Sequence, residues 1–416
     1  MNFLNPMNGA TPSTGKQDPV VRAGAFFAAL LMLTVPLSTT ISIVMTFLVF
    51  ACWILSARFR SLPILVRRNP VAASALLLYG LLLVGTLYGD AATADSLSML
   101  RKYRELPLLV ILLPFMQEEK YRRWAITAFI IASVVTLMAS YWKEFGIFPM
   151  SQQGTPPFKS RITHNLFMAF LAYFCAHRAK TAVNQRVFWV GLCLLATFNL
   201  FIIVQGRTGQ VIFVLLIALF FFQRFKVKLA LILASLVLLG FLATLAIPGS
   251  GNRFEEGIEE SRDYLQGRRN LGTSMGQRLY FWQNSIDLIS KSPIVGYGTG
   301  SFAREFSGKN GGKDLITENP HNEYLMIAVQ LGGIGLFAYL FFLASLWRCS
   351  FDLSEDRRWF AQGVFLSLAV NSLLNTTFLD HTEGHWYASL IALSFAALPR
   401  NCCRTATSKF RREETR

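Results

Sequence analysis

Runs of roughly 18–22 apolar residues recur along this chain, each long enough to cross a hydrocarbon core ~30 Å thick. In lipid every backbone polar group has to be satisfied within the spanning segment, so such runs fold as helices. Composition agrees: 53% of the 416 residues are hydrophobic and 15% are charged, where a soluble domain carries about 25%. The sequence predicts an all-α polytopic membrane protein of about 12 transmembrane helices. They fall near 20–37, 39–57, 70–88, 104–117, 124–142, 164–177, 187–204, 208–223, 229–247, 321–347, 359–378 and 385–399. The domain layout that follows is a tail over 1–19, nine helices over 20–247, one large, partly helical loop over 248–320, three helices over 321–399, and a basic tail over 400–416. Residues 1–19 are polar and proline-bearing, so the first apolar run is expected to stay as a helix rather than act as a signal peptide.

The net charge of +16 would suit a nucleic-acid binder, but its placement speaks against one. Twelve spans put both termini on one side, and the segments on that side hold 24 Lys and Arg against 8 acids. The opposite side holds 16 of each. The whole excess therefore lies on one face, which is the positive-inside pattern and makes that face cytoplasmic. By this topology the six Cys lie in helices or on the cytoplasmic side, so no disulfide framework is expected. Cys402 and Cys403, beside the last span, read as juxtamembrane residues, with palmitoylation as the functional alternative.

The outer face carries the chemistry-bearing residues. Arg101, Lys102 and Arg104 break the positive-inside trend and read equally as snorkelling residues or as an anionic-lipid contact. Arg161 and His164 stand where a Pro- and Gly-rich loop gives way to a span, with Thr163 or Asn165 as candidate caps. Arg207 sits in the short turn QGRTG between two apolar runs, where a charge costs a few kcal/mol unless paired or watered. In the long loop, Ser274 is a candidate cap for a helix whose packing face is Leu279, Trp282, Ile286 and Ile289. Arg278 falls at the start of that helix, against the helix dipole. The glycines of GYGTG are expected to let the backbone pass close to membrane or substrate. Asn319 is a candidate cap, Pro320 suits a first helical position, and His321 would then lie in the first turn of a span. His381, Glu383 and His385 in LDHTEGH hint at metal, but no HExxH or HxH spacing occurs, so no metal and no other cofactor is expected.

These residues carry a resemblance. Gly206-Arg207-Thr208, the run from Arg278 through Trp282 to Pro293 and on to Phe302, the stretch Pro320-His321-Asn322-Glu323-Tyr324-Leu325, and Gly332-Gly333-Ile334-Gly335 resemble the O-antigen ligase/O-antigen polymerase superfamily of bacterial inner-membrane glycosyltransferases, and look most like the ligase. The resemblance covers about residues 200–340. It extends to Arg161, though without the Gly that usually lies near that position.

The resemblance implies a reaction. A glycan would move from undecaprenyl pyrophosphate, the donor, to a sugar hydroxyl of lipid A–core, the acceptor. Transfer would take place on the periplasmic face of the inner membrane, without metal or nucleotide sugar. Arg207 and Arg278, with Arg161 third, would grip the pyrophosphate, because planar guanidinium binds phosphate oxygens in pairs. His321 would act as general base, since an imidazole titrating near ~6.5 suits neutral pH. Direct displacement would invert the anomeric carbon. The polymerase of the same superfamily is the alternative. A twelve-span transporter or lipid flippase is the remote one, disfavoured because the two halves differ and the charges sit at helix ends.

Overall fold

A computed structural model of the chain describes residues 18–147, 155–245, 253–268, 270–309 and 317–398. The two tails, with Cys402 and Cys403, lie outside these residues. Among the described residues the chain is helical, with no strand. The first half runs α1 (Pro19–Thr34), α2 (Thr39–Leu55), α3 (Leu62–Arg68), α4 (Pro70–Tyr88), α5 (Thr93–Lys102), α6 (Glu105–Leu112), α7 (Glu119–Glu144), α8 (Arg161–Thr181) and α9 (Arg186–Phe198). The second half runs α10 (Arg207–Arg224), α11 (Val227–Leu245), α12 (Arg253–Leu265), α13 (Ser274–Lys291), α14 (Phe302–Lys309), α15 (Glu323–Ser350), α16 (Glu355–Leu374) and α17 (His381–Phe395). Each of the twelve stretches expected to be apolar helix is helical, with ends moved by a few residues.

Among the described residues, five helical segments are long and apolar enough to cross a membrane: α4, α7, α10, α15, and α9 with its flanking turns over Val183–Ile203. The pair formed by α2 and the bent Arg58–Arg68 stretch makes a sixth if counted as one span. These support a polytopic membrane protein. Helices α8 and α17 are not among them, and they are the most enclosed. Every residue from Thr163 to Cys175 is buried, as is every residue from Thr382 to Phe395. A helix wrapped by other helices packs all of its faces. Trp386 of α17 anchors this centre against Phe167 and Phe170 of α8, at ring centroid separations of 5.2 and 5.3 Å. Peripheral α2, α9 and α11 instead expose large apolar side chains such as Phe47, Val187 and Leu239, the surface that lipid would cover.

Three helix starts differ from expectation. Ser160, not Thr163 or Asn165, caps α8; Thr273, not Ser274, caps α13; Asn322, not Asn319, caps α15. Asn319 is unavailable because its side-chain oxygen already accepts from the His321 backbone N–H (2.7 Å) and from the Thr376 hydroxyl. His321 therefore lies before the helix rather than in its first turn. The packed face of α13 differs in part: Leu279, Trp282 and Ile289 pack against the core as expected, but the fully buried residues are others. Tyr280, Phe281, Asn284, Ser285 and Leu288 are buried, whereas Ile286 is 58% exposed. The aromatic pair decides the rotation, since Tyr280 and Phe281 both pack on Phe306 of α14.

The GYGTG segment is largely buried and is not among the residues lining the arginine cavity described below. Its backbone pairs with α15, which breaks at Gly332 (φ 62°, ψ −157°). Tyr297 and Gly298 donate to Val329 and Gln330 carbonyls, while Gly333 and Ile334 donate to Pro293 and Ile294. Gly298 (φ 88°) lies against Gly89 at the end of α4, where a Cβ would collide with backbone. The glycines thus dock the long loop on the helices and fix where the His321 segment begins.

Candidate active site

Helices α8, α10, α15 and α17 all begin at one end of the bundle, and α16 finishes there. Arg207 is the first residue of α10. Before it, Gly206 presses on α8: a Cβ there would run into the Asn165 amide and come within 3.6 Å of Arg161 Cγ. Arg161, the first residue of α8, is thereby brought beside the start of α10. The Arg207 side chain is largely buried, with Nη1 4.0 Å from Glu260 of α12. Its guanidinium packs over Gly257, where a Cβ would strike it.

Arg278 stands one turn into α13 and is partly buried. Burial, and then the charge of Arg207, pull its guanidinium below its ordinary value, although an arginine stays charged at any working pH. Both arginines line one cavity of about 670 Å³ between α10, α12 and α13. Val211, Phe254, Ile258, Trp282 and Leu374 give it apolar walls. Two cations facing one partly apolar space repel each other, and an anion between them reverses the sign of that energy.

His321 does not line this cavity; Arg278 connects the two. The backbone at His321 is left-handed (φ 52°), a conformation uncommon for a non-glycine residue and one that clusters at functional sites. The surrounding loop is stitched to the end of α16. Asn322 donates to the Leu373 carbonyl (3.1 Å), Thr376 donates to Asn319, and Trp282 of α13 donates to the Pro320 carbonyl (3.0 Å). Burial first, then repulsion by Arg278, push the imidazole below its ordinary value, while the Asn375 contact acts the other way. The ring is therefore neutral at pH 7. Its Nδ1 lies 3.5 Å from Asn375 Oδ1, a long contact. Asn375 turns that oxygen toward the ring because its amide nitrogen donates to Glu383 (3.0 Å). The proton then belongs on Nδ1, and Nε2 keeps its lone pair.

Asn375 was not picked out from the sequence. The signal was present: Asn371 and Asn375 lie one turn apart in an otherwise apolar span. Both donate to Glu383 Oε2, and Thr163 donates to Oε1 (3.0 Å). Glu383, which as a sequence hinted at metal, instead anchors this buried network. The two histidines beside it meet an acid from another helix, which sequence spacing does not show. Glu105 of α6, His381 and His385 bring ligand-capable atoms within 4.8 Å of one another, at i, i+4 spacing rather than HxH. Both His381 nitrogens and His385 Nδ1 have partners, however, while His385 Nε2 and Glu105 Oε2 are buried without a hydrogen bond. Arg104 meets His381 Nδ1 at 2.8 Å, Ser42 meets Nε2 at 3.2 Å, and His385 Nδ1 meets Glu105 at 2.9 Å. A guanidinium against one ligand nitrogen is a poor neighbour for a cation. Of the outer basic residues, Arg104 is thus tied to α17, and Lys102 pairs with Glu318 (3.2 Å) ahead of His321.

Residues 191–340 match a protein family described as O-antigen ligase. That stretch contains Arg207, Arg278 and His321. The match supports the O-antigen ligase/polymerase superfamily over that part of the chain. An uncharacterized protein of Haemophilus influenzae is 27% identical over 132 residues, a stretch covering 30% of this chain and 33% of that relative. Arg161, Asn375 and Glu383 fall outside the O-antigen ligase match, so their placement beside the site rests on the fold.

Proposed function

We propose that the protein is an O-antigen ligase that transfers a glycan from undecaprenyl pyrophosphate to a sugar hydroxyl of lipid A–core, at the periplasmic face of the bacterial inner membrane. One observation carries this reading: Arg207 and Arg278, distant in sequence, line one cavity, and Arg278 adjoins a neutral, backbone-strained His321. His321 Nε2 takes the proton of the acceptor hydroxyl. The freed oxygen attacks the anomeric carbon, the bond from that carbon to the pyrophosphate oxygen breaks, and the electron pair leaves with the pyrophosphate. Arg207 and Arg278 hold the departing charge in planar forks, with Arg161 close by. Attack opposite the leaving group inverts the anomeric centre. The apolar walls suit the first prenyl units of a carrier lipid, and a helix bundle of twelve crossings would seat the site at the outer interface. With the arginines supplying the positive charge, the reaction needs no divalent ion.

Purified protein incubated with undecaprenyl-pyrophosphate glycan and lipid A–core, in EDTA and without ATP, tests this. Glycan on the core is the expected product. Chain growth on the carrier instead would make the protein a polymerase, and no transfer at all would remove the glycosyltransferase reading. Activity lost to EDTA and restored by a divalent ion would turn attention to Glu105, His381 and His385.

A further inference from the structure

A second cavity, of about 370 Å³, opens at the other end of the bundle. Helix α10 measures the separation: Arg207 is its first residue and Arg224 its last, about 25 Å apart at ~1.5 Å per residue. Arg122 and Arg123 of α7, Arg178 of α8, Arg224 of α10 and Arg357 of α16 all line the second cavity, together with Trp359. Among the described residues, Asp356 is the one acid lining it. Two further acids pair from outside, Glu119 with Arg123 and the 82% exposed Glu355 with Arg224.

A positive-inside bias explains arginine at this end but not arginine under cover. A topology signal works from water or headgroups, whereas Arg122 is 8% exposed and the Arg224 side chain 11%. Their hydrogen bonding is also incomplete. Arg122 Nη1 donates to the Met116 and Gln117 carbonyls. Arg224 donates from Nε to His177 (2.9 Å) and from Nη1 to Glu355 (3.2 Å). That leaves Arg122 Nε, Arg224 Nη2 and Arg357 Nη1 buried without a hydrogen-bond partner. Buried donors are normally satisfied, and these three come from three helices around one space. The wall is already built: Trp359 stacks on His177 at 4.0 Å, Tyr173 donates to the Trp359 carbonyl (2.6 Å), and Gln223 joins α10 to Gln362 of α16 (2.8 Å).

We propose that this cavity binds the phosphate group of an anionic ligand, carried either by a phospholipid headgroup or by a soluble phosphorylated compound. Phosphate supplies several acceptor oxygens around one centre, which is what unsatisfied guanidinium donors converging from different helices can share. The site stands apart from the transfer chemistry and does not depend on it.

The test uses the full chain carrying Arg207→Gln, which removes the other arginine pair's grip on phosphate, and titrates inorganic phosphate calorimetrically in detergent. Adding Arg357→Gln, or Arg123→Gln, is expected to weaken binding at least about tenfold, the loss of one charge-assisted contact. Arg348→Gln, an exposed cation at the same end, should change nothing. Equal weakening by Arg348→Gln, or no effect of either cavity variant, overturns the proposal. Nanodiscs then identify the carrier. Phosphate binding lost in phosphatidylglycerol discs but kept in phosphatidylcholine, with phosphatidylglycerol retained in native mass spectra, assigns the site to a lipid headgroup. Binding kept in both assigns it to a soluble phosphate. Absence of phosphate binding in detergent and in both discs, with no retained lipid, overturns it.

Discussion

Helix α10 carries an arginine at each end, and only one of them is where helix stability would put it. Arg224 lies in the last turn, where the helix dipole favours a cation, and it pairs with His177 and Glu355. Arg207 opens the same helix, where the dipole disfavours it, with the Glu260 carboxylate 4.0 Å from its Nη1. Arg161 repeats the pattern at the start of α8. Cations at helix starts run against the helix dipole, and here they stand at the end of the bundle where Arg278 joins the Arg207 cavity to the left-handed His321. The contrast also shows that arginine count alone is a poor guide. Both ends place arginine beside a histidine, but His177 Nδ1 already accepts from Arg224, so its lone pair is not open to a proton.

The comparison breaks most directly at His321. We expect His321→Ala to lower transfer ~10²–10⁴-fold, the usual contribution of a general base, with membrane insertion unchanged. Near-normal turnover in an inserted variant would leave the first end with binding residues and no base. The next effect concerns the two ends of α10. Arg207→Lys keeps the charge but loses the planar fork, and is expected to cost on the order of 10²-fold, the scale of removing one oxyanion-type donor. Arg278→Lys should cost about as much, and the double variant less than the product of the two, because residues acting as a unit are non-additive. Arg224→Lys should leave transfer intact. If Arg207→Lys and Arg224→Lys behave alike, Arg207 is only an anchor.

Much of this arrangement was legible in the sequence, because apolar runs of membrane length admit one backbone solution. The expected apolar stretches are helical for that reason, five of them among the described residues long and apolar enough to cross a membrane, and Arg207 and His321 stood out as polar groups at helix ends, Arg278 in the long loop. What stayed hidden depends on contacts across the bundle. Asn319 looks like a cap until Thr376, from the end of α16, occupies it. The face of α13 looks aliphatic until Phe306 selects Tyr280 and Phe281. Glu105 joins His381 and His385 only through the packing of α6 on α17. Local spacing cannot report a partner hundreds of residues away.

A smaller effect is expected from Gly257→Ala. The new Cβ would meet the Arg207 guanidinium, the movable end of a flexible side chain. Alanine in a helix is favoured over glycine by ~0.5–1 kcal/mol, so the protein should be no less stable. Transfer should nonetheless slow by roughly tenfold, since a displacement of ~1 Å at a positioning group is costly. Measuring melting temperature and turnover on the same preparation separates the two. A loss of stability with turnover unchanged would mean that Gly257 makes room for packing and not for Arg207.

The finest test reads the coupling between Arg278 and His321 through pH. Burial and then the Arg278 charge hold the imidazole below its ordinary value of about 6.5. The form that accepts a proton thus persists into mild acid, and the acid limb of the transfer rate is expected below pH ~6.5. Stability follows with a definite sign. As pH falls from the unfolded value toward the lower folded one, the unfolded chain takes up a proton that the folded chain refuses. Folding is therefore weakened in that window and unaffected by this group above it. Arg278→Gln removes one of the two depressing causes and leaves burial in place. The acid limb should then move up, toward 6.5, while the plateau drops because the pyrophosphate grip is weaker. Arg224→Gln, at the far end of the bundle, should move neither. A lowered plateau with an unmoved limb would mean that Arg278 binds the leaving group without tuning the base, and would separate two roles that the geometry joins.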